Sequence, residues 1–200
     1  SAASDVYKRQ VQKYADILIK KRKPLRIMDI ASGHGRYILD AVTQLPKRPD
    51  SILLRDYSDI NVQAGQQMIA ERGLSDLAEF VQADAFDTQS LASVKPKPTL
   101  AVVSGLYELF SDNDQLRQSL EGLNKAILKD GYLIYTGQIW HPQQEFIARA
   151  LTSHREGDAW VMRLRSQAEM DALVEAAGFK KVDQCIDEFG IFTVSVAQKL

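Results

Sequence analysis

The sequence predicts an α/β fold: a seven-stranded, mostly parallel sheet with helices on both faces and an antiparallel strand supplied by a terminal hairpin. Three observations predict it. Short apolar runs alternate with helical patterns along most of the chain. A turn rich in small residues separates the first run from its helix, and the last two runs are too close together for a parallel crossover. With 200 residues, 45% hydrophobic and 26% charged, the chain suits one domain with a substantial core.

The elements follow in order. Asp5 to Gln10 matches a translation of a transposon-end adapter used in sequencing libraries. Residues 1–10 are therefore expected to be a cloning or assembly scar outside the fold, with 11–200 as the domain and the natural chain beginning further upstream. Val11, Tyr14, Ala15, Leu18 and Ile19 lie on one face of a helix running to Lys21. The basic run Lys20 to Lys23 suits a solvated helix end. Leu25, Ile27, Met28 and Ile30 make the first strand, Tyr37 to Leu45 the next helix, and Ile52 to Asp56 the second strand. Asp59 is placed as the cap of a helix that reaches Arg72 and stops at Gly73. Glu79–Gln82, Thr99–Ser104 and Tyr132–Thr136 are the next strands, with a helix from Asn113 to Leu128. Gln167–Ala177 forms the last helix, closed by Gly178. Lys180–Asp187 and Ile191–Gln198 then pair about a turn at Phe189–Gly190.

In open sheets of this kind, ligands bind beyond the carboxyl ends of the strands. Ala31 to Arg36, Asp56, Asp84 and Ser104 each follow a strand and should converge on one crevice. Ala31, Ser32, Gly33 and Gly35 let a ligand approach the backbone. The helix after them points unpaired amides toward it. A dinucleotide fingerprint needs a third glycine at position 38, where Ile38 stands, so that reading fails. Asp56 follows Gly35 at an offset where an acid can accept ribose hydroxyls; it can equally be a solvated acid. Asp84 either accepts a hydrogen bond from an adenine amino group or caps a turn.

The pattern Asp29-x-Ala31-x-Gly33-x-Gly35 resembles the acid-x-Gly-x-Gly-x-Gly loop of class I S-adenosylmethionine-dependent methyltransferases, with alanine in place of the first glycine. Asp56, the triplet Ala83-Asp84-Ala85 and the terminal hairpin also stand where that family has theirs. Leu54-Arg-Asp-Tyr-Ser58, Ser104-Gly-Leu-Tyr-Glu-Leu-Phe110 and Tyr135-Thr-Gly-Gln-Ile-Trp-His-Pro142 resemble a poorly characterised bacterial methyltransferase family, some members of which are fused behind an α/β-hydrolase domain. The resemblance implies a Rossmann-like sheet, S-adenosylmethionine as cofactor with S-adenosylhomocysteine as product, and no metal. The implied cofactor residues are Asp29, Ala31, Ser32, Gly33, Gly35, Arg36, Asp56, Tyr57, Ala83, Asp84, Ala85, Ser104 and Gly105. An upstream fused domain is an expected partner.

Tyr107, Glu108 and His141 are the candidates for work on the acceptor, with Gln138 and Trp140 as pocket walls. Glu108 is either a base or a helix-start acid. His141 and Trp140 either meet the substrate or pack as a Trp-His-Pro loop. His154, Arg155, Trp160, Arg163 and Arg165 form a basic and aromatic stretch, read as a solvated face or a site for an anionic acceptor. His34 reads as a loop residue and Arg36 as either a carboxylate contact or an exposed helix residue. His34, His141, His154 and Cys185 lack compact metal-ligand spacing.

Composition narrows the partners. A net charge of −1 offers no general basic field for nucleic acid, and the fourth strand lacks the Asn/Asp-Pro-Pro-Tyr/Phe motif of amino-methylating enzymes. No apolar stretch reaches the roughly 20 residues of a membrane span. One cysteine, Cys185, allows no internal disulfide and fits a reducing cytoplasm, with Cys185 read as a strand residue rather than a nucleophile. The expected activity is methyl transfer to a small-molecule or lipid-derived acceptor. The alternatives are a noncatalytic S-adenosylmethionine or nucleotide-binding module of a larger protein and, more remotely, aminopropyl transfer.

Overall fold

The computed structural model describes residues 2–150 and 163–200. His154, Arg155 and Trp160 lie outside the described residues.

The chain runs α1 (Ala2–Lys20), β1 (Arg26–Ile30), α2 (Arg36–Val42), β2 (Ser51–Asp56), α3 (Asp59–Glu71), β3 (Ala78–Gln82) and α4 (Thr88–Ala92). It continues through β4 (Leu100–Val103), a 3₁₀ turn (Tyr107–Leu109), α5 (Asn113–Ala126), β5 (Tyr132–Gln138) and α6 (Gln144–Ala150). The described elements end with α7 (Gln167–Ala176), β6 (Phe179–Ile186) and β7 (Phe192–Lys199).

One seven-stranded sheet has the order β3-β2-β1-β4-β5-β7-β6. The first five strands pair in parallel, whereas β7 is antiparallel to both β5 and β6. This is the mostly parallel, Rossmann-like sheet with a terminal hairpin that the sequence predicts. Alternation along each central strand divides the core by face. Ile27, Ile52, Leu54, Leu100, Val102 and Ile134 pack with α1, α2 and α3. Met28, Ile30, Ala101, Val103, Leu133 and Tyr135 pack on the other face with α4, α5 and α7. The chain leaves β1 toward β2 on one side and reaches β4 on the other, the switch point at whose carboxyl ends open α/β sheets bind their ligands.

Several boundaries differ from expectation. Residues 5–10 extend α1, and Val6 and Tyr7 are buried in its core face. Tyr7, Val11, Tyr14 and Leu18 repeat at helical spacing, so the apolar stripe runs unbroken through this stretch. Helix α2 starts at Arg36 and ends at Val42, before the chain approaches Pro46. Ser58, not Asp59, caps α3, accepting the Asn61 amide on its hydroxyl. Helices α4 and α6 have no sequence-level expectation behind them, being five and seven residues long. At the hairpin, Asp187 Oδ1 accepts the Ile191 and Phe192 amides at 2.7 and 2.9 Å, closing the turn that Gly190 completes.

Candidate functional site

The loop after β1 doubles back through three left-handed residues: Ala31 and Gly33 at φ 56° and Gly35 at φ 73°. A Cβ in this region costs roughly 1–2 kcal/mol, so Ala31 occupies a glycine conformation at some expense. Hydrogen bonds hold it there. Ser32 N donates to the Arg55 carbonyl at 2.9 Å, the Arg55 amide donates to Ser32 Oγ, and Ser32 Oγ–H donates to the Asp29 carbonyl at 2.8 Å. The loop is thereby fastened to the carboxyl end of β2. His34 and Arg36 are exposed.

Asp56 ends β2 and is 8% exposed. Its Oδ2 accepts the Gly33 amide at 2.9 Å, while Oδ1 accepts the Ser58 amide and Asn61 Nδ2 at 2.9 and 3.0 Å. A carboxylate accepts about four hydrogen bonds, so Oδ2 keeps one open position. Tyr57 beside it is 76% exposed and takes Gln82 Nε2 on its carbonyl. The next strand end is joined by the Ala83 amide donating to the Asp56 carbonyl. Asp84 is exposed and caps its own turn, with Oδ1 accepting the Phe86 amide at 2.8 Å. Ala83 is half-buried and Ala85 buried.

Three buried groups near the loop carry unusual electrostatics. Asp29, on β1, is 6% exposed; burial pushes its carboxyl up to about 8, opposed by a hydrogen bond from Ser32 and aided by the Asp56 charge. Tyr7 of α1 lies close enough to feel Asp29, and burial chiefly raises its hydroxyl well above the ordinary range. Arg55 is also buried, donating to Ser90 Oγ at 2.7 Å while its Nε has no partner. Burial lowers its pKa, against the attraction of Asp87 and Asp84. The sequence argument missed Arg55 and Tyr7. A cation as the penultimate residue of an apolar strand was the available signal for the first.

Beyond β4, Ser104 is half-buried, and the exposed Gly105 donates its amide to Thr136 Oγ1 at 2.8 Å. Tyr107 is buried, with its hydroxyl paired to Ser119 Oγ at 2.9 Å. Glu108 is 8% exposed; burial pushes its carboxyl up to about 7, against its own amide and the Arg165 charge. Glu108 and Gln138 line one narrow pocket with Thr136, Ile139, Arg165 and Met170. Gln138 is 3% exposed and its Oε1 has no partner.

The two described arginines of the expected basic stretch are neither a solvated face nor a free anion site. Arg165 is buried and donates to the carbonyls of Tyr107 and Phe110, each at 2.7 Å, and to Asn113 Oδ1 at 2.8 Å. Arg163 bonds the Ser111 carbonyl, Asn113 Oδ1 and Glu169, the last at 2.6 Å. Both staple the segment after β4 to the start of α7.

His141 and Trp140, which follow β5, are not among the residues that line the pocket of Glu108 and Gln138. His141 Nδ1 accepts the Gln143 amide at 3.1 Å, and the half-exposed Trp140 donates Nε1–H to the Gly190 carbonyl at 2.9 Å. Cys185, on β6, is half-buried and accepts from Gln10 Nε2. Among the described residues, no cluster of three or more His, Cys, Asp or Glu side chains is arranged to hold a metal, and no helix is long and apolar enough to cross a membrane.

Comparison with known proteins agrees with this architecture. Uncharacterized protein YnbC of Escherichia coli (strain K12) is 56% identical over 197 residues, covering 94% of this chain. The chain spans 34% of YnbC's own length, about a third. Ubiquinone/menaquinone biosynthesis C-methyltransferase UbiE of Idiomarina loihiensis is 24% identical over 183 residues, covering 81% of this chain and 69% of its own. Among solved structures, magnesium protoporphyrin IX methyltransferase of Synechocystis PCC 6803 with bound SAH superposes with a TM-score of 0.69. It is 13% identical and covers 96% of this chain and 83% of its own, a likeness of fold. A family match extends across both halves of the sheet, from residue 4 to residue 199: the chain belongs to the family described as "Putative methyltransferase".

Proposed function

We propose that the chain binds S-adenosylmethionine at the carboxyl ends of β1 to β4 and transfers its methyl group to a small-molecule or lipid-derived acceptor. One observation carries this reading: the left-handed loop after β1 and the acid ending β2 are hydrogen-bonded into one unit beside the β1–β4 switch point. Family membership supports the methyl-transfer chemistry. The name of the UbiE relative favours the lipid-derived end of the acceptor range.

The residues fit the cofactor. A Cβ added at Gly33 or Gly105 would meet no atom within 4 Å, so space lies open beside the backbone at both strand ends. In this reading the free position on Asp56 Oδ2 accepts one ribose hydroxyl, and Asp84 Oδ2 accepts the adenine amino group. Tyr57 and Ala85 flank the base, with Ala83 in the wall. The amides following Ala31, together with Arg36, meet the methionine carboxylate. Asp29 lies beneath the loop, its carboxyl pushed up to about 8 by burial and its backbone carbonyl accepting the Ser32 hydroxyl. Ser104 and Gly105 bound the crevice where the methyl group is presented.

S-adenosylmethionine supplies an already activated methyl group when bound, so the protein's task is to align a nucleophile and exclude water. Glu108 is the residue placed to hold a proton from the acceptor, with Gln138 beside it. Tyr107 shapes that site through its backbone turn, and His141 and Trp140 form the rim.

Calorimetric titration with S-adenosylmethionine, S-adenosylhomocysteine and NAD tests the reading. Binding of both adenosyl ligands is expected. Binding of NAD alone overturns it, and adenosyl binding without label transfer to any component of a metabolite and lipid extract would favour the noncatalytic module.

A further inference from the structure

The pocket between the segment after β4 and the end of β5 has a polar character that constrains what enters it. Its cations are occupied: Arg165 spends its guanidinium on Tyr107, Phe110 and Asn113, and Arg163 on Ser111, Asn113 and Glu169. Thr136 Oγ1 already accepts the Gly105 amide. What remains is a buried amide oxygen, Gln138 Oε1, without a donor, and the carboxyl of the buried Glu108 in the same lining. A buried acceptor left unmade costs roughly 1–3 kcal/mol, which a ligand donor would recover.

We propose that this pocket reads a hydrogen-bond-donating group on a neutral acceptor molecule, a hydroxyl or a primary amine, through Gln138 Oε1 and the Glu108 carboxylate. A carboxylate or phosphate is disfavoured because it would bring a second negative charge against the Glu108 carboxylate and an acceptor oxygen against Gln138 Oε1. The cavity is about 10 Å³, room for one water-sized group, so it takes the donor head alone while the body of the acceptor lies outside it. The inference rests on the methyl-transfer reading for its biological meaning and on the pocket alone for its chemistry.

Ligand-observed NMR at pH 8, above the value of about 7 to which burial pushes Glu108, tests it with phenol, aniline, benzoate and phenyl phosphate, on the protein alone and with S-adenosylhomocysteine. Phenol or aniline is expected to bind, their ranking assigning hydroxyl or amine, and the two anions to bind more weakly. Gln138→Leu and Glu108→Gln should each weaken the favoured probe about tenfold, the equivalent of one lost hydrogen bond. Thermal melting confirms that each variant is folded, and the milder Gln138→Asn, which withdraws the oxygen, serves if Gln138→Leu is not. Preferential binding of benzoate or phenyl phosphate, binding of none of the probes, or unchanged affinity in folded variants overturns the proposal. Failure of S-adenosylhomocysteine to bind the wild-type chain sinks the methyl-transfer reading instead, and the probe ranking in the unloaded protein still decides the pocket's chemistry.

Discussion

The Asp56 carboxylate accepts the Gly33 amide at 2.9 Å, joining the acid that ends β2 to the middle of the loop that follows β1. The same carboxylate holds Ser58 and Asn61 at the start of α3. Asp56→Ala is therefore expected to lower stability by about 1–3 kcal/mol in urea titration, beyond weakening adenosyl-ligand binding. An unchanged urea midpoint would show that the loop does not depend on this acid.

Gly35 has no room for a side chain. An added Cβ would lie 2.4 Å from Leu54 Cδ1, at a φ of 73°. Gly35→Ala should cost about 1–3 kcal/mol from overpacking alone, with left-handed strain in addition. Gly33 shares the left-handed backbone but faces open space, so Gly33→Ala should be milder when both are melted in parallel.

Tyr7 tests whether the first turns of α1 belong to the cooperative unit. It is 4% exposed in the core shared with α2 and β1. Tyr7→Ala is expected to destabilise by about 3 kcal/mol or more, as for other buried aromatic truncations. A loss under 1 kcal/mol, roughly the scale of a surface change, would place residues 5–10 outside that unit.

Arg165 supports the turn that carries Glu108. Arg165→Met removes the donor to the Tyr107 and Phe110 carbonyls and one of the two donors to Asn113 Oδ1, at a cost on the order of 3 kcal/mol by chemical denaturation. Arg165→Lys should rescue only part of this, since one ammonium cannot span the same fork of acceptors.

Two buried carboxyls set a pH dependence of fixed sign. Folding raises Asp29 from 3.8 to about 8 and Glu108 from 4.5 to about 7, so the folded chain binds more protons than the unfolded one between those limits. Their contribution is whole below about pH 4, falls as pH rises through 7 and 8, and is flat above. Urea stability measured from pH 5 to 9 should decline accordingly, and Glu108→Gln and Asp29→Asn should each remove a share of the slope. If methyl transfer uses ionised Glu108, kcat/KM rises over the same interval in which stability falls.

The central parallel strands were legible because they are short apolar runs buried on two faces, as with Leu100–Val103. The ligand loop was legible because its small residues have a geometric purpose. Helix α4 was not: it buries only Leu91, too little for a period, although Asp87 capping Gln89 and Ser90 left a local mark. Arg55 and Arg165 escaped for a different reason. A buried cation is defined by acceptors distant in sequence, Ser90 for one and the Tyr107–Phe110 carbonyls for the other. Likewise, the adapter-like composition of residues 5–10 speaks to origin, whereas the spacing of Tyr7, Val11 and Tyr14 speaks to packing.

The hydrogen bond from Trp140 to Gly190 has an optical consequence. It fixes a half-exposed indole across the gap between the strand β5 exit and the β6–β7 hairpin tip. The chain contains two tryptophans, Trp140 and Trp160, so a Trp160→Phe chain has a single tryptophan to excite selectively at the red edge of its absorption. Its emission then reports directly on the contact between the end of β5 and the hairpin tip, without an attached dye.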